Sequence, residues 1–254
     1  MNEIFLLADK FAFVLIRTSG VLMVAPIFGA TAVPMRIKAA LVMLVAFVLT
    51  PLVPGTPPEC NGVIAFGLCG VRELLIGLAM GFIGMVTFGA FQLVGELIST
   101  QMGFTMGELA DPLMGGQSST VSQLYYILAM LLFLAINGHH WFLQGLDASF
   151  RAVPLGGATL SAALTRGMAE KFAELFAAAL KMAAPAMAAL LLVTIALGML
   201  ARLAPLLNIL MMTFSLRIAA GLILMGVSLP YVYKYGKYLL LNMQGDLDRL
   251  IKAM

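Results

Sequence analysis

Apolar residues fill this chain in long blocks, broken by short stretches that hold its prolines, glycines and most of its charges. Six blocks stand out, at 4–26, 37–52, 74–98, 121–136, 172–197 and 206–231. Runs this long and this apolar predict helices, because a helix satisfies its own backbone groups where no water can reach them. The blocks at 4–26, 74–98, 172–197 and 206–231 are long enough to cross about 30 Å of hydrocarbon, since a span needs about 20 residues. Those at 37–52 and 121–136 are short for a span and suit helices packed on other helices, so six transmembrane helices is an upper bound. Beyond the last block, Leu247, Leu250, Ile251 and Met254 follow an i, i+3, i+4, i+7 pattern. That spacing predicts a short amphipathic tail lying on a membrane surface or a partner.

Composition removes the soluble alternatives. Hydrophobic residues make up 62% of 254 positions, charged residues 11%, and the mean hydropathy is +1.03. A soluble domain is nearer half apolar and a quarter charged. The net charge of +3 does not point to nucleic acid, because the 15 basic residues are scattered and no binding motif accompanies them. Basic residues flanking apolar blocks are ordinary in membrane proteins, and Tyr231, Tyr233, Tyr235 and Tyr238 beside Lys234 and Lys237 form the aromatic and basic cluster expected at a membrane–water boundary. Asp9 and Lys10 interrupt the first block, which reads as part of the mature protein rather than as a signal peptide.

Two connections carry most of the turn chemistry. The one at 99–120 holds Gly, Pro, Ser and Met with two acids and no base, and Asp111-Pro112 and Gly115-Gly116 are turn signals within it. It reads either as an ordinary solvated loop or as a flexible, adaptable segment rich in glycine and methionine. The connection at 137–171 is the longest, with Pro154, Gly156 and Gly157 near its middle, and it marks a boundary between residues 1–165 and 166–254. Within the third block, Gly77 and Gly81 form a GxxxG pair followed by Gly84, a spacing that lets helix backbones approach closely.

Candidate chemistry is sparse. Arg17 lies inside the first block, and an ionisable group at membrane depth calls for a partner. It either pairs with Glu96, caps carbonyls at a subunit contact, or sits near water, and Lys181 and Arg217 raise the same alternatives. His139 and His140 are adjacent and point in different directions, which disfavours a shared metal. Cys60 and Cys69 share one connection and form either a disulfide or two unpaired thiols. No phosphate loop or nucleophile set appears, so no cofactor and no enzymatic activity are expected. A stand-alone secondary transporter fits less well, because four blocks precede the long connection and only two follow it.

Several stretches resemble the FliR family of flagellar export-gate subunits, in the same order along the chain. They are the segment from Arg17 through Pro26 to Gly29 with Val33, Pro34, Arg36 and Lys38, the pieces Gln101-Met102-Gly103-Phe104 and Asp111-Pro112 through Gly115-Gly116-Gln117, the run from Leu132 to His139, and Leu200 to Asn208 around Arg202 and Pro205. The Asp-Pro and Gly-Gly-Gln pieces look flagellar rather than virulence-type, although a virulence injectisome subunit stays as an alternative. The resemblance implies an all-α membrane protein of helical hairpins, FliP-like over 1–165 and FliQ-like over 166–254. It implies assembly with FliP-like and FliQ-like subunits and a FlhB-like export switch, in the bacterial inner membrane at the flagellar basal body, with unfolded exported proteins as cargo. It further implies that the central connection plugs the closed pore, through Gly103, Phe104, Met106, Glu108, Asp111, Pro112, Met114, Gly115, Gly116 and Gln117. Arg17, Gly77, Gly81, Gly84, Glu96, Arg202, Pro205 and Asn208 are then expected at helix packing or subunit interfaces.

Overall fold

A computed structural model describes residues 2–29, 33–58, 62–104, 119–157, 161–203 and 209–254. Among them the chain is helical with no strand: α1 Asn2–Val24, α2 Met35–Leu49, α3 Val63–Met102, α4 Thr120–Ala135, α5 His139–Ala152, α6 Ala162–Leu203 and α7 Ile209–Ala253. It is an all-α membrane protein. Helices α3, α6 and α7 are long and apolar enough to cross a bilayer, and α4 with α5 makes a fourth such pair bent by 67°. α1 has the length, but every window of 18 residues within it contains Asp9, Lys10 and Arg17.

Local chemistry sets the boundaries. α1 stops at Val24 because Pro26 disfavours a helical Ala25. α2 starts after Pro34, which sits extended at φ −57° and ψ 141°. α3 ends in Gly103 at φ +87°, whose amide donates to the Thr100 carbonyl (3.1 Å) while Phe104 donates to Ser99 (3.2 Å). That pair of bonds is the glycine-terminated helix end that closes orphan carbonyls. The same pairing recurs after α4, where Asn137 takes φ +56° and Gly138 donates to Phe133.

Four sequence boundaries change, one of them the start of α6, which begins at Ala162 rather than at the expected 172. α3 begins at Val63, ahead of the expected 74, because its charged pair does not end the helix: Glu73 is fully buried with a partner and Arg72 faces outward. The connection at 137–171 contains α5, an amphipathic helix of low mean hydropathy that buries Phe142, Leu146, Ser149 and Phe150. The C-terminal tail is not a separate surface helix but the last turns of α7. Its Leu247, Leu250 and Ile251 are buried, and Ala253 accepts from Ser161 Oγ at 2.6 Å. α6 and α7 continue through Pro185 and Pro230, each of which removes one helical hydrogen bond.

The chain forms two compact units: Met1–Thr87 with Phe133–Ala173 and Leu240–Met254, and Phe88–Leu132 with Glu174–Leu239. In the first, α1 and α2 form a hairpin tied by Lys10 Nζ to the Val53 carbonyl at 2.6 Å. α1 runs parallel to the start of α3, since Phe13 meets Phe66 with ring centroids 4.8 Å apart while Val24 reaches Gly81. Gly20 and Gly77 meet at the crossing, where a Cβ on either would overlap the other helix's backbone. Lys171 pairs with Asp246, and the start of α6 lies antiparallel to the end of α7.

Gly77→Val is therefore expected to cost several kcal/mol or abolish accumulation of the protein, as overpacking at a backbone contact does. Gly198→Ala, whose new methyl meets nothing within 4 Å, is expected to be neutral or stabilising by up to about 1 kcal/mol. Thermal unfolding in detergent compares the two, and equal behaviour would contradict the assigned crossing.

Candidate functional site

In the second unit, α3 and α4 form an antiparallel hairpin whose connection is the glycine- and methionine-rich stretch of the sequence. Three contacts set its register. Gly95 lies against the backbone of Ser122, Ser122 Oγ donates to the Gln92 carbonyl at 2.8 Å, and Phe88 meets Tyr126 edge-on at 5.8 Å. Only glycine fits at position 95, because a Cβ there would overlap the Ser122 main chain. α4 begins with Ser119 Oγ accepting the Ser122 amide at 3.1 Å, the serine cap that satisfies an otherwise orphaned donor. Both stems of the connection are thus closed by their own hydrogen bonds.

The opposite stem is held by α7. Met102, fully buried, fills the space over Gly221, and the Gly103 position faces Phe214 at 3.6 Å. Phe91 packs over Gly236 in the same way, so α7 runs antiparallel to this part of α3. Of the expected plug residues, Gly103 and Phe104 are described, and they form the α3 stem. Met106, Glu108, Asp111, Pro112, Met114, Gly115, Gly116 and Gln117 lie outside the described residues, as do Pro205, Asn208 and Cys60. Arg202 is exposed in the last turn of α6.

A polar node occupies the first unit. Arg17 and Glu73 have fully buried side chains, with Arg17 Nε donating to Glu73 Oε2 at 2.5 Å. Arg17 Nη1 and Nη2 donate to the carbonyls of Ser149 (3.0 Å) and Val153 (3.2 Å), and the guanidinium lies 4.4 Å from the Phe150 ring centre. Glu73 Oε1 accepts the Gly156 amide at 2.7 Å. One ion pair thereby fixes α1, α3, α5 and the turn that follows α5. The partner offered by the sequence, Glu96, is not the one used. The parallel packing of α1 on α3 sets Glu73 opposite Arg17, and Glu96, half-buried, belongs to the second unit. Gly77 and Gly81 pack on α1 within the chain, and Gly84 on Phe142 of α5 and on Pro26.

His139 and His140 do not diverge as their adjacency suggests but sit tilted at 48° with ring centres 4.2 Å apart at the start of α5, and among the described residues no group of three or more His, Cys, Asp or Glu converges. The described geometry is thus a connection with two fixed stems in one unit and an ion-paired helix cluster in the other.

Comparison with known proteins gives this arrangement a context. The model of a family described as bacterial export proteins, family 1, matches residues 8–243. Flagellar biosynthetic protein FliR of Escherichia coli (strain K12) is 32% identical over 225 residues, covering 89% of this chain and 86% of that protein. The protein of the same name from Bacillus subtilis (strain 168) is 31% identical over 236 residues, covering 92% and 91%. That of Aquifex aeolicus (strain VF5) is 28% identical over 207 residues, covering 82% and 80%.

Proposed function

The chain belongs to family 1 of the bacterial export proteins, with the FliR proteins, and from that membership we propose that it is a non-enzymatic subunit of the flagellar protein-export gate. As a flagellar export protein it is a membrane component that works with other proteins of the export apparatus. The finer reading names those partners as FliP-like and FliQ-like membrane subunits and a FlhB-like switch, in the inner membrane at the basal body. Residues 1–165 take the FliP-like role and 166–254 the FliQ-like one. The cargo is unfolded flagellar protein, and the connection from Gly103 to Gln117 plugs the closed channel.

The observation that carries this reading is the extent of the likeness, which runs from residue 8 to residue 243 through both stems of the central connection. The stems suit a plug. Helix ends that keep their own hydrogen bonds leave the connection able to change conformation without unravelling α3 or α4. Glycines in the connection tolerate varied backbone angles, and methionines adapt to varied surfaces.

Cells lacking this chain are expected to retain exported flagellar proteins in the cytoplasm and to carry no filaments, with both defects reversed by the intact chain. Normal export in such cells, together with loss of uptake of a small solute, would replace the gate with a stand-alone transporter.

A further inference from the structure

A groove of about 370 Å³ lies in the second unit between α4 and α7. Its α4 wall carries Tyr125, Ala129 and Leu132, and its α7 wall Gly226, Pro230 and Tyr233. These are single faces, spaced 4 and 3 residues on both helices. α3 is antiparallel to both α4 and α7, so α4 and α7 run parallel and the groove follows them for about 10 Å. That volume is the size of a small ligand site.

The next position on the α7 face after Tyr233 is Lys237, one turn on and exposed, with Lys234 exposed beside it. Tyr231, Tyr233 and Tyr238 are 46%, 54% and 60% exposed around these lysines. From Thr213 to Tyr238 α7 holds three bases and no acid. Its large outward side chains between Gly221 and Tyr231 are apolar, with Ile223 67% and Val227 74% exposed. An apolar slot that opens onto exposed tyrosines and lysines matches the order of chemistry in a phospholipid, acyl chain first and phosphate last. Tyrosine and lysine at such a level are typical of the headgroup zone, and lysines there attract anionic lipid.

We propose that the α4–α7 groove binds the headgroup-proximal half of one acyl chain of an anionic glycerophospholipid, whose phosphate is held by Lys234 and Lys237. The lipid docks on the gate subunit at a fixed site, distinct from the general solvation of its apolar faces.

Gly226 provides the test, because a Cβ built on it meets nothing within 4 Å and any larger side chain projects into the slot. The protein, purified with its co-assembling subunits, is placed in mixed phosphatidylglycerol and phosphatidylcholine vesicles with a photoreactive diazirine on the acyl chain of one lipid at a time. Labelling by the phosphatidylglycerol probe is expected on the peptides holding Leu132 and Tyr233. It should fall in the order wild type, Gly226→Ala, Gly226→Leu, with unchanged thermal unfolding. Lys234→Gln with Lys237→Gln should keep acyl labelling but lose the preference for phosphatidylglycerol over phosphatidylcholine. Labelling that ignores Gly226→Leu would overturn the proposal. So would a benzophenone side chain at position 132 that captures a protein subunit instead of lipid.

Discussion

Deletion of residues 108–117 is expected to leave the protein and its complex assembled while raising the leakage of small ions across the membrane. The expectation rests on the stems. α3 closes on Gly103 and Phe104, and α4 opens on Ser119, with hydrogen bonds that involve no residue of the deleted stretch. Residues 105–107 and 118 remain to bridge them. Gly95 lies level with Ser122, so α3 runs about 10 Å past that level to Met102 and α4 about 4.5 Å to Ser119. With helices about 8 Å apart, the ends are roughly 10 Å distant, and four extended residues reach about 13 Å. The deletion therefore closes without unwinding either helix. Ion-sensitive dyes in intact cells report the leak, and pull-down of the subunits reports assembly. Membranes that stay tight around an assembled complex would remove the plug assignment, and a complex that fails to assemble would show the connection to be structural.

The second large effect lies at Arg17. Arg17→Ala is expected to destabilise the protein by about 3–5 kcal/mol, because it leaves the Glu73 carboxylate buried without its counter-charge. Arg17→Lys should also be poor, since an ammonium cannot reach the Glu73 carboxylate and the Ser149 and Val153 carbonyls together as the planar fork does. The double change Arg17→Met with Glu73→Leu is expected to recover much of the loss, as replacing a buried pair by apolar residues often does. The order of unfolding temperatures should be wild type, double variant, then Arg17→Ala. An Arg17→Ala protein as stable as the wild type would show that the pair contributes nothing to holding α1 on α3.

Much of this was readable from the chain. Long apolar runs with few charges allow little besides helices in a bilayer or against one another, and the blocks at 74–98, 172–197 and 206–231 became the three long helices. The differences have separate physical sources. Arg72 and Glu73 lie just ahead of the block at 74–98, yet α3 runs through them, because a buried partner makes Glu73 compatible with the helix interior. That partner was invisible because parallel packing of α1 on α3 is a tertiary fact, and Glu96 was as acceptable as Glu73 by sequence alone. α5 was missed because His139, His140, Gln144, Asp147 and Arg151 lower its mean hydropathy. Its signal was still present in the spacing of Phe142, Leu146, Ser149 and Phe150. The tail pattern identified the correct buried face in Leu247, Leu250 and Ile251, but periodicity does not say whether the cover is a membrane, a partner or the chain itself. The groove between α4 and α7 left no mark, because it exists only where two faces from distant parts of the chain meet.

The central claim is that this chain works as one subunit of a larger export gate. Native mass spectrometry tests it most directly, on the tagged chain purified in mild detergent after co-expression with its neighbouring membrane proteins. The account predicts a single large complex with one copy of this chain and several copies of two smaller membrane proteins. A stable, partner-free monomer or homodimer would contradict it.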